Sequence, residues 1–370
     1  MKKEQVIDAM EMISLMLLFE LGTTVISIPG RDAGKDAWLA ILLSTGFGAL
    51  LFFCYGTLHR RFPGMLLTQY IKVITGRKVG SVLAFLYILF FLYGGTRDLR
   101  DAGILISDTT LFRTPLAVIS ALIIGVVMYV MYLGIEAAGR TAIWLLSFLL
   151  LLGLTTTILL SLSGSIDWKN MMPIAQHGWG EIWKAVYTEG IMLPFGEMVT
   201  FTMILPSLKK DYRANVVGIT SVLLGGIAFS LIALINVLVL GEDLFQRATY
   251  PLLTMIGKVE ITDFIDRLDV IGVMTVIIVD FFKIFIFFYA AVKAGSDVLR
   301  VPPDRLLLPF GLIMLTSSLL MAQSYQEHIA IGQFVLKWMF PTFSVIFPLL
   351  LLIVSGFRKK GSSKGKGNAS

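Results

Sequence analysis

The chain has 370 residues, of which 56% are hydrophobic and 15% are charged, and its mean hydropathy is +0.82. A soluble domain could not bury so much apolar surface, so the composition predicts an integral membrane protein. The single cysteine, Cys54, excludes an intrachain disulfide, and the net charge of +6 reflects the distribution of lysine and arginine among loops rather than a nucleic-acid surface.

Apolar runs of about 20 residues recur along the chain, long enough to cross a bilayer as helices. They predict an all-α polytopic membrane protein with about ten transmembrane helices, in a single domain over residues 1–356. The predicted spans cover residues 13–29, 38–58, 79–95, 115–133, 141–162, 182–206, 214–240, 268–294, 306–322 and 338–355. Residues 357–370 contain no apolar side chain after Phe357, and we expect a disordered basic tail near anionic lipid headgroups.

Ten spans place both termini on the same side of the membrane. If that side is the cytoplasm, nineteen of the 31 lysine and arginine residues lie in cytoplasmic segments. This excess predicts cytoplasmic termini by the positive-inside rule. The apolar run near the start is expected to be a retained first span rather than a cleaved signal, because Glu20 interrupts it and no small-residue cleavage site follows.

The first predicted span is weakened near its middle. Gly22, Thr23 and Thr24 are poor helix formers, and Pro29 closes the run. Glu20 lies just before them, and we expect it to pair with a polar neighbour. The sequence therefore predicts a break in the first span after a buried carboxylate.

The sixth predicted span contains stronger helix-breaking signals in the stretch EGIMLPFGEMVTF, residues 189–201. Pro194 removes a backbone hydrogen bond and prevents the helix from closing again. Gly190 and Gly196 allow the backbone to approach a ligand. A carboxylate such as Glu197 costs about 2.5–3.5 kcal/mol at a bilayer centre, so its presence there indicates a function. Glu189 lies nearer the outer end of the span, where water can reach it.

The two interrupted spans are five spans apart, at corresponding positions of two halves. This placement predicts a 5+5 inverted repeat, residues 10–163 and 182–356, with spans one and six unwound at the midplane. Unwound backbone is tolerated only around a polar cavity, and its N–H and C=O groups can bind a small zwitterion. The alternative is two plain kinks, since proline and glycine are common in membrane helices.

The third span ends in FFLYGGTRDLRDAG. Tyr93 is expected either to face the cavity with its hydroxyl or to lie at the membrane interface, as tyrosine often does. The four charged residues that follow, Arg97, Asp98, Arg100 and Asp101, are expected to form a solvated cluster outside the membrane.

The eighth span carries an aspartate and a lysine inside an apolar run. Asp280 and Lys283 are three residues apart, so they share one helix face and are predicted to pair. An ionisable pair inside the membrane is a functional hypothesis, and the alternative is a structural salt bridge that ties this span to the bundle.

Three stretches resemble one known family. They are LPFGEMVTFTMILP at residues 193–206, TYPLLTMIGKVEITDFIDRLD at 249–269 and FFKIFIFFYA at 281–290. They resemble the B subunits of spore germinant receptors, the GerAB-type family of endospore-forming bacteria. That family is related to amino-acid and polyamine permeases with the LeuT-like inverted-repeat fold. The resemblance extends over nearly the whole chain.

The resemblance implies a receptor subunit that binds a small germinant, typically an amino acid, in the spore inner membrane and works with an A subunit and a C-subunit lipoprotein. Lys283 would contribute from span eight, where its ammonium could occupy the place of a coupling sodium. The implied ligand-binding residues are Gly22, Thr23, Thr24, Val25, Pro194, Phe195, Gly196 and Glu197.

Two other functions stay open. One is an active amino-acid permease, proton-coupled rather than sodium-coupled because of Lys283, and the other is a scaffold or channel subunit. Neither the motifs nor the resemblance predicts an enzyme, a cofactor or a nucleic-acid partner. The three scattered histidines do not form a metal-ligand pattern.

Overall fold

A computed structural model describes residues 6–26, 28–258 and 269–364, without the side chains of residues 23–26, 269–271, 325 and 358–364. These described residues form thirteen α-helices. They are α1 (Ala9–Ile26), α2 (Ala37–Arg61), α3 (Leu67–Thr75), α4 (Arg77–Thr109), α5 (Leu116–Leu133), α6 (Ile135–Leu162), α7 (Trp179–Ala185), α8 (Ala214–Arg247), α9 (Pro251–Ile256), α10 (Asp269–Leu299), α11 (Pro303–Leu320), α12 (Tyr325–Pro341) and α13 (Phe347–Lys364).

Eight helical stretches in the described ranges are long and apolar enough to cross a membrane. They are α2, α4, α5, α6, α8, α10, α11 and the stretch that joins α12 to α13. The remaining two predicted spans correspond to α1 and to a segmented stretch between α7 and α8, which we call the broken segment (Val186–Phe195, Gly196–Met203 and Leu205–Ser207). The all-helical architecture with about ten spans agrees with the prediction.

Contacts between helices follow the pattern expected of two inverted halves. The second span packs against the seventh (α2 on α8), the third against the eighth (α4 on α10) and the fourth against the ninth (α5 on α11). The first and sixth spans each pack on the opposite half, α1 on α8 and the broken segment on α2. Equivalent helices of the two repeats therefore meet in pairs, with α1 and the broken segment between them.

Burial separates a central group of helices from an outer one. In the most apolar 18-residue stretch of α10, 67% of the residues are buried, whereas in that of α6 the buried share is 22%. Trp144 on α6 is 78% exposed, while Phe285 and Phe287 on α10 are fully buried. Because an apolar side chain is stable either in a protein core or against lipid, α10 belongs to the core and α6 faces the bilayer.

The predicted break at residues 22–25 is wrong. α1 is helical through Ile26, and Pro29 and Gly30 form a turn, in which Gly30 has φ 82°. A short 3-10 turn, Arg31–Asp36, then leads into α2. Glycine and threonine cost at most about 1 kcal/mol each in a helix, and tertiary packing readily overrides so small a penalty. The side chains of Thr23, Thr24 and Val25 lie outside the described residues.

The predicted interruption of the sixth span is confirmed. The broken segment makes π-type turns over Val186–Phe195, and Leu193 has extended dihedral angles of φ −116° and ψ 120°. A 3-10 stretch, Gly196–Met203, follows. Pro194 lacks an N–H group and its ring clashes with the preceding turn, so a regular α-helix cannot form through this point.

The carboxyl end of the chain is helical farther than expected. α13 continues to Lys364, into the tail that the sequence predicts to be disordered, and residues 365–370 lie outside the described part. Adding one residue to an existing helix is easy compared with starting a new one, so the apolar turns of α13 extend into the basic residues.

Candidate functional site

A cavity of about 380 Å³ lies between the end of α1, α4, the broken segment, α10 and α12. Its lining mixes apolar side chains with many charged ones. The lining side chains that carry charge are Arg31, Asp32, Arg97, Asp98, Asp101, Glu189, Glu197, Arg247 and Lys283. Gly22, Gly94 and Leu193 complete the wall near Lys283. The break in the sixth span thus borders a polar cavity, as unwound backbone in a membrane protein requires.

A buried cluster of charges joins three elements at this cavity. Lys283 Nζ on α10 lies 3.0 Å from Glu197 Oε2 in the broken segment and 3.4 Å from Asp98 Oδ1 on α4. All three side chains are buried, with 5%, 4% and 13% exposure respectively. Two carboxylates share one ammonium, so the cluster has an excess of negative charge. Buried charges of this kind are stable only when they are paired.

Lys283 also contacts α1, as expected for a link between spans eight and one. A Cβ atom on Gly22 would lie 3.1 Å from both Cβ and Cδ of Lys283, so the glycine accommodates the lysine stem. The ammonium lies 6.0 Å from the centre of the Phe19 ring, within the range of a cation–π contact. Gly22 therefore serves the packing of α1 on α10 rather than a helix break.

The predicted Asp280–Lys283 pair is wrong. Among the described residues, the carboxylates within ion-pair distance of Lys283 Nζ belong to Asp98 and Glu197. Asp280 is 2% exposed, and its Oδ2 atom has no hydrogen-bond partner. Spacing of three residues places two side chains on one helix face, but the long lysine stem reaches across to the neighbouring elements.

The predicted solvated cluster on α4 is wrong as well, because its four residues are divided between two structural roles. Asp98 joins the Lys283 cluster, whereas Asp101 Oδ1 lies 2.8 Å from His328 Nε2 on α12. Arg97 donates to the His328 carbonyl at 3.3 Å, and buried Arg100 donates at 2.6–2.7 Å to carbonyl groups at the end of α11. The apolar run GILIS after these charges was the signal that α4 continues through them.

Most of the other predicted site residues pack the broken segment against its neighbours. Phe195 is 1% exposed and lies on Gly48 of α2, where a Cβ atom would be 2.6 Å from the ring. Gly190 allows close approach to Ser44, because a Cβ there would lie 2.1 Å from the serine hydroxyl. Pro194 and Gly196 are buried between these contacts.

The cavity lining in the described part of the chain contains Gly22, Glu197 and Lys283 from the predicted site. It does not contain Tyr93, whose hydroxyl is buried without a hydrogen-bond partner beside the lining residue Gly94. The aromatic ring packs on the hydrophobic core.

Two further contacts hold the end of α1 to the cavity wall. Glu189 Oε2 accepts a hydrogen bond of 3.3 Å from the Gly30 N–H. Arg31 donates at 3.0 Å to the carbonyl of Phe245 and also donates to the carbonyl of Ala248, at the end of α8. The turn after α1 is therefore tied both to the broken segment and to α8.

The chain matches a family of germination proteins. Residues 6–326 match the family model described as "Spore germination protein". The chain is 34% identical over 98% of its length to spore germination protein KB of Bacillus subtilis (strain 168), covering 97% of that protein. It is 24% identical over 94% of its length to spore germination protein YndE of the same organism, covering 95% of it. The chain belongs to this spore germination protein family, as the sequence motifs indicated.

Two solved structures share the fold. MhsT, in complex with L-phenylalanine, aligns with a TM-score of 0.68 over 95% of this chain and 99% of its own, at 12% identity. Mhp1, a nucleobase-cation-symport-1 family transporter with bromovinylhydantoin bound, aligns with a TM-score of 0.56 over 97% of this chain and 94% of its own, at 14% identity. Likeness at such low identity concerns the architecture, and it confirms the predicted fold class.

Proposed function

We propose that this chain is the ligand-binding membrane subunit of a spore germinant receptor. A small germinant, an amino acid, binds in the cavity beside the broken segment and triggers germination. The observation that carries this proposal is the buried cluster of Lys283, Glu197 and Asp98 at the cavity wall. Buried ionisable groups around a concave polar site inside a membrane protein are costly, and function is the usual reason that they persist.

The charges of the lining fit a zwitterion. Glu197 and Asp98 exceed the single ammonium of Lys283, so this end of the cavity suits a ligand ammonium group. Arg97 and Arg247 line the same cavity and can pair with a ligand carboxylate, for which the arginine fork is well shaped. A ligand held there touches α4, α10 and the broken segment together. It can therefore favour one arrangement of these elements over another, which is the requirement for a signal.

The orientation of the helices in the membrane supports access of the ligand to the cavity from outside the spore core. Part of the cavity lining comes from residues near the carboxyl ends of α1 and α8, and residues 329–340 of α12 line it as well. With cytoplasmic termini, as the distribution of lysine and arginine favours, these helix ends lie on the outer side of the membrane. We place the chain in the spore inner membrane, together with a receptor A subunit and a lipoprotein C subunit, by analogy with its family.

Spores that lack this gene test the proposal. Germination with each of the twenty amino acids is followed as loss of optical density, first with the wild-type gene restored. The responding amino acid is then tested on spores that carry Glu197→Gln, for which we expect a strong loss of sensitivity at equal protein level. Glu181→Gln, an exposed member of an ion pair with Lys184, is the matched control and should respond as wild type. Unchanged sensitivity in Glu197→Gln would reject the site.

A proton-coupled amino-acid permease is the second candidate. The transporter fold favours it, and so does the lysine ammonium at the cavity, which can take the place of a coupling cation. Purified protein in vesicles is offered a labelled amino acid under a pH gradient or under a sodium gradient. Uptake that follows the pH gradient and ignores sodium supports the permease, whereas binding without uptake supports the receptor.

A further inference from the structure

Glu20 is a buried carboxylate on the side of α1 that faces away from the cavity cluster. It is 1% exposed, and neither of its carboxylate oxygens has a hydrogen-bond partner in the part of the chain that the structure describes, where the expected pairing with a polar neighbour does not occur. Gly22, two residues later, faces Lys283 on α10. Residues two apart on a helix point to nearly opposite sides. Glu20 thus lies at a different interface of α1, separate from the ligand site.

This carboxyl group rests on one of two adjacent glycines in α8, and α2 rests on the other. A Cβ atom on Gly225 would lie 1.6 Å from Glu20 Oε2, so the carboxyl group rests directly on the α8 backbone. At the next position, a Cβ atom on Gly226 would lie 2.1 Å from the hydroxyl of Thr45 on α2. That hydroxyl donates to the Ile41 carbonyl at 2.9 Å, so its hydrogen is already used. The contact leaves no space for a larger side chain at either glycine.

No charged group on the surrounding elements faces Glu20. Residues 214–240 of α8, 37–53 of α2 and 251–256 of α9 contain no ionisable side chain. On α1 the other carboxylate is Glu11, more than two turns away, next to Arg140 of α6.

The charges of the remaining neighbours are turned elsewhere. In the broken segment, Glu189 accepts from Gly30 and Glu197 pairs with Lys283. On α10, Lys283 lies on the Gly22 side of α1, away from Glu20. Asp280, the carboxylate nearest to that lysine in sequence, carries no positive charge that could pair with Glu20. Among the described residues, Glu20 therefore has neither a counter-charge nor a hydrogen-bond donor.

A proton is the ligand that satisfies such a carboxyl group. An ionised carboxylate buried without a donor is strongly unfavourable. A metal cation would need several further oxygen ligands, which these apolar helix faces do not provide. We propose that Glu20 is a proton-binding site, distinct from the ligand cavity, and that the packing of α1 on Gly225 is the arrangement with the proton bound.

Loss of this proton would place a charge at a tight glycine contact. The charge is relieved when α1 moves away from α8 or when water enters between them. The opposite side of α1 carries Gly22 against Lys283, so a shift of α1 also changes the cavity. Proton binding at Glu20 and ligand binding at the cavity are then coupled through one helix, and each affects the other equally.

Infrared spectroscopy of the full-length protein in lipid nanodiscs tests the site directly. With glutamate labelled by ¹³C at the side-chain carboxyl, an un-ionised glutamic acid gives a carbonyl band at neutral pH that shifts with the label. Unlabelled Asp280 does not shift. We expect Glu20→Gln to abolish the shifted band, and Glu181→Gln and Glu189→Gln to retain it. A shifted band that survives Glu20→Gln, or its absence from folded wild type at neutral pH, would overturn the proposal.

Thermal unfolding gives a second readout that does not depend on spectral assignment. The folded state holds this proton, whereas an exposed glutamate in the unfolded chain is ionised at neutral pH. Raising the pH therefore destabilises the wild type, by up to about tenfold in the unfolding equilibrium per pH unit. Glu20→Gln mimics the protonated group and removes this dependence. Equal pH dependence in the two proteins contradicts the proposal. If Glu20→Gln does not fold, the labelled band is followed in Glu189→Gln, which keeps Glu20. Loss of that band with rising pH supports the proposal, and a band that does not change with pH contradicts it.

Discussion

The first and sixth spans have similar signals in the sequence and different structures. Each contains a glycine, a nearby carboxylate and a proline, but only the broken segment is interrupted within the span. Pro194 lies in the middle of its span and removes a hydrogen bond there, whereas Pro29 lies after the end of α1. Pro194 thus interrupts the sixth span, although Pro309 is accommodated within α11, while the low helix propensity of Gly22 and the two threonines of α1 yields to packing.

The two carboxylates differ as much as the two backbones. Glu197 belongs to a buried cluster with Lys283 and Asp98 at the cavity. Glu20 is equally buried, but its carboxylate oxygens have no hydrogen-bond partner among the described residues, and it rests on a glycine of α8. Similar signals in the sequence therefore produce a buried ion cluster in the broken segment and an isolated carboxyl group in α1.

Lys283 connects the two regions, and its removal has the largest expected effect. Lys283→Met preserves the stem that packs on Gly22 but leaves Glu197 and Asp98 without their ammonium. Breaking a buried ion pair costs about 3–5 kcal/mol. We expect a large fall in thermal stability and in the amount of protein in the membrane.

Two variants control this experiment. Lys184→Met removes a lysine whose side chain is 59% exposed and should change little. Adding Glu197→Gln to Lys283→Met removes a second charge of the cluster and should restore part of the lost stability, because removing both partners costs less than removing one. If the double variant is no more stable than Lys283→Met, the cluster is not held together by these charges.

The contrast between the two carboxylates can be tested with the same isosteric change. Glu197→Gln weakens a charged hydrogen bond to Lys283, for which about 1.5–3 kcal/mol is expected at any pH near neutrality. Glu20→Gln replaces a group without any partner and should cost little at neutral pH. The measurement is thermal stability of both variants in one detergent. Equal losses would show that Glu20 is held by a charge after all.

Much of this architecture could be predicted from the sequence. The apolar runs locate the spans, Pro194 locates the break, and Glu197 and Lys283 are recognisable because charge is rare inside spans. Pairing could not be predicted, because Lys283 is long enough to bypass Asp280 and reach Asp98 on another helix. Such a choice depends on how helices far apart in the sequence pack, and spacing within one helix does not contain that information.

Alanine substitutions at Gly22 of α1 and Gly190 of the broken segment should differ less in stability than glutamine substitutions at the two carboxylates. Gly22→Ala places a Cβ atom 3.1 Å from Lys283 Cβ and from the Val279 carbonyl, next to rigid backbone. Overpacking of this kind costs about 1–3 kcal/mol. Gly190→Ala meets the Ser44 hydroxyl at 2.1 Å, which can rotate away, and the Ser44 Cβ at 3.1 Å, with the nearest backbone atom at 3.5 Å, so we expect a somewhat smaller cost.

Gly125→Ala on α5 is the control, because no atom lies within 4 Å of its added Cβ. Alanine is favoured over glycine inside a helix by roughly 0.5–1 kcal/mol, so this variant should be neutral or slightly more stable. Thermal stability of all three variants ranks them. A loss in Gly190→Ala larger than in Gly22→Ala would show that the Ser44 side chain does not move away from the added Cβ.

Asp280→Asn has the smallest expected effect and separates the observed partners of Lys283 from the predicted one. If Asp280 paired with Lys283, the variant would weaken a buried ion pair and lose stability in proportion to Glu197→Gln. Because Lys283 pairs with Glu197 and Asp98, and Asp280 Oδ2 has no partner, we expect a change below about 1 kcal/mol. The combination Lys283→Met with Asp280→Asn should then recover no stability relative to Lys283→Met, unlike the combination with Glu197→Gln. A rescue by Asp280→Asn equal to that by Glu197→Gln would mean that the lysine serves both helices, α10 and the broken segment, and that the cavity cluster has three carboxylates.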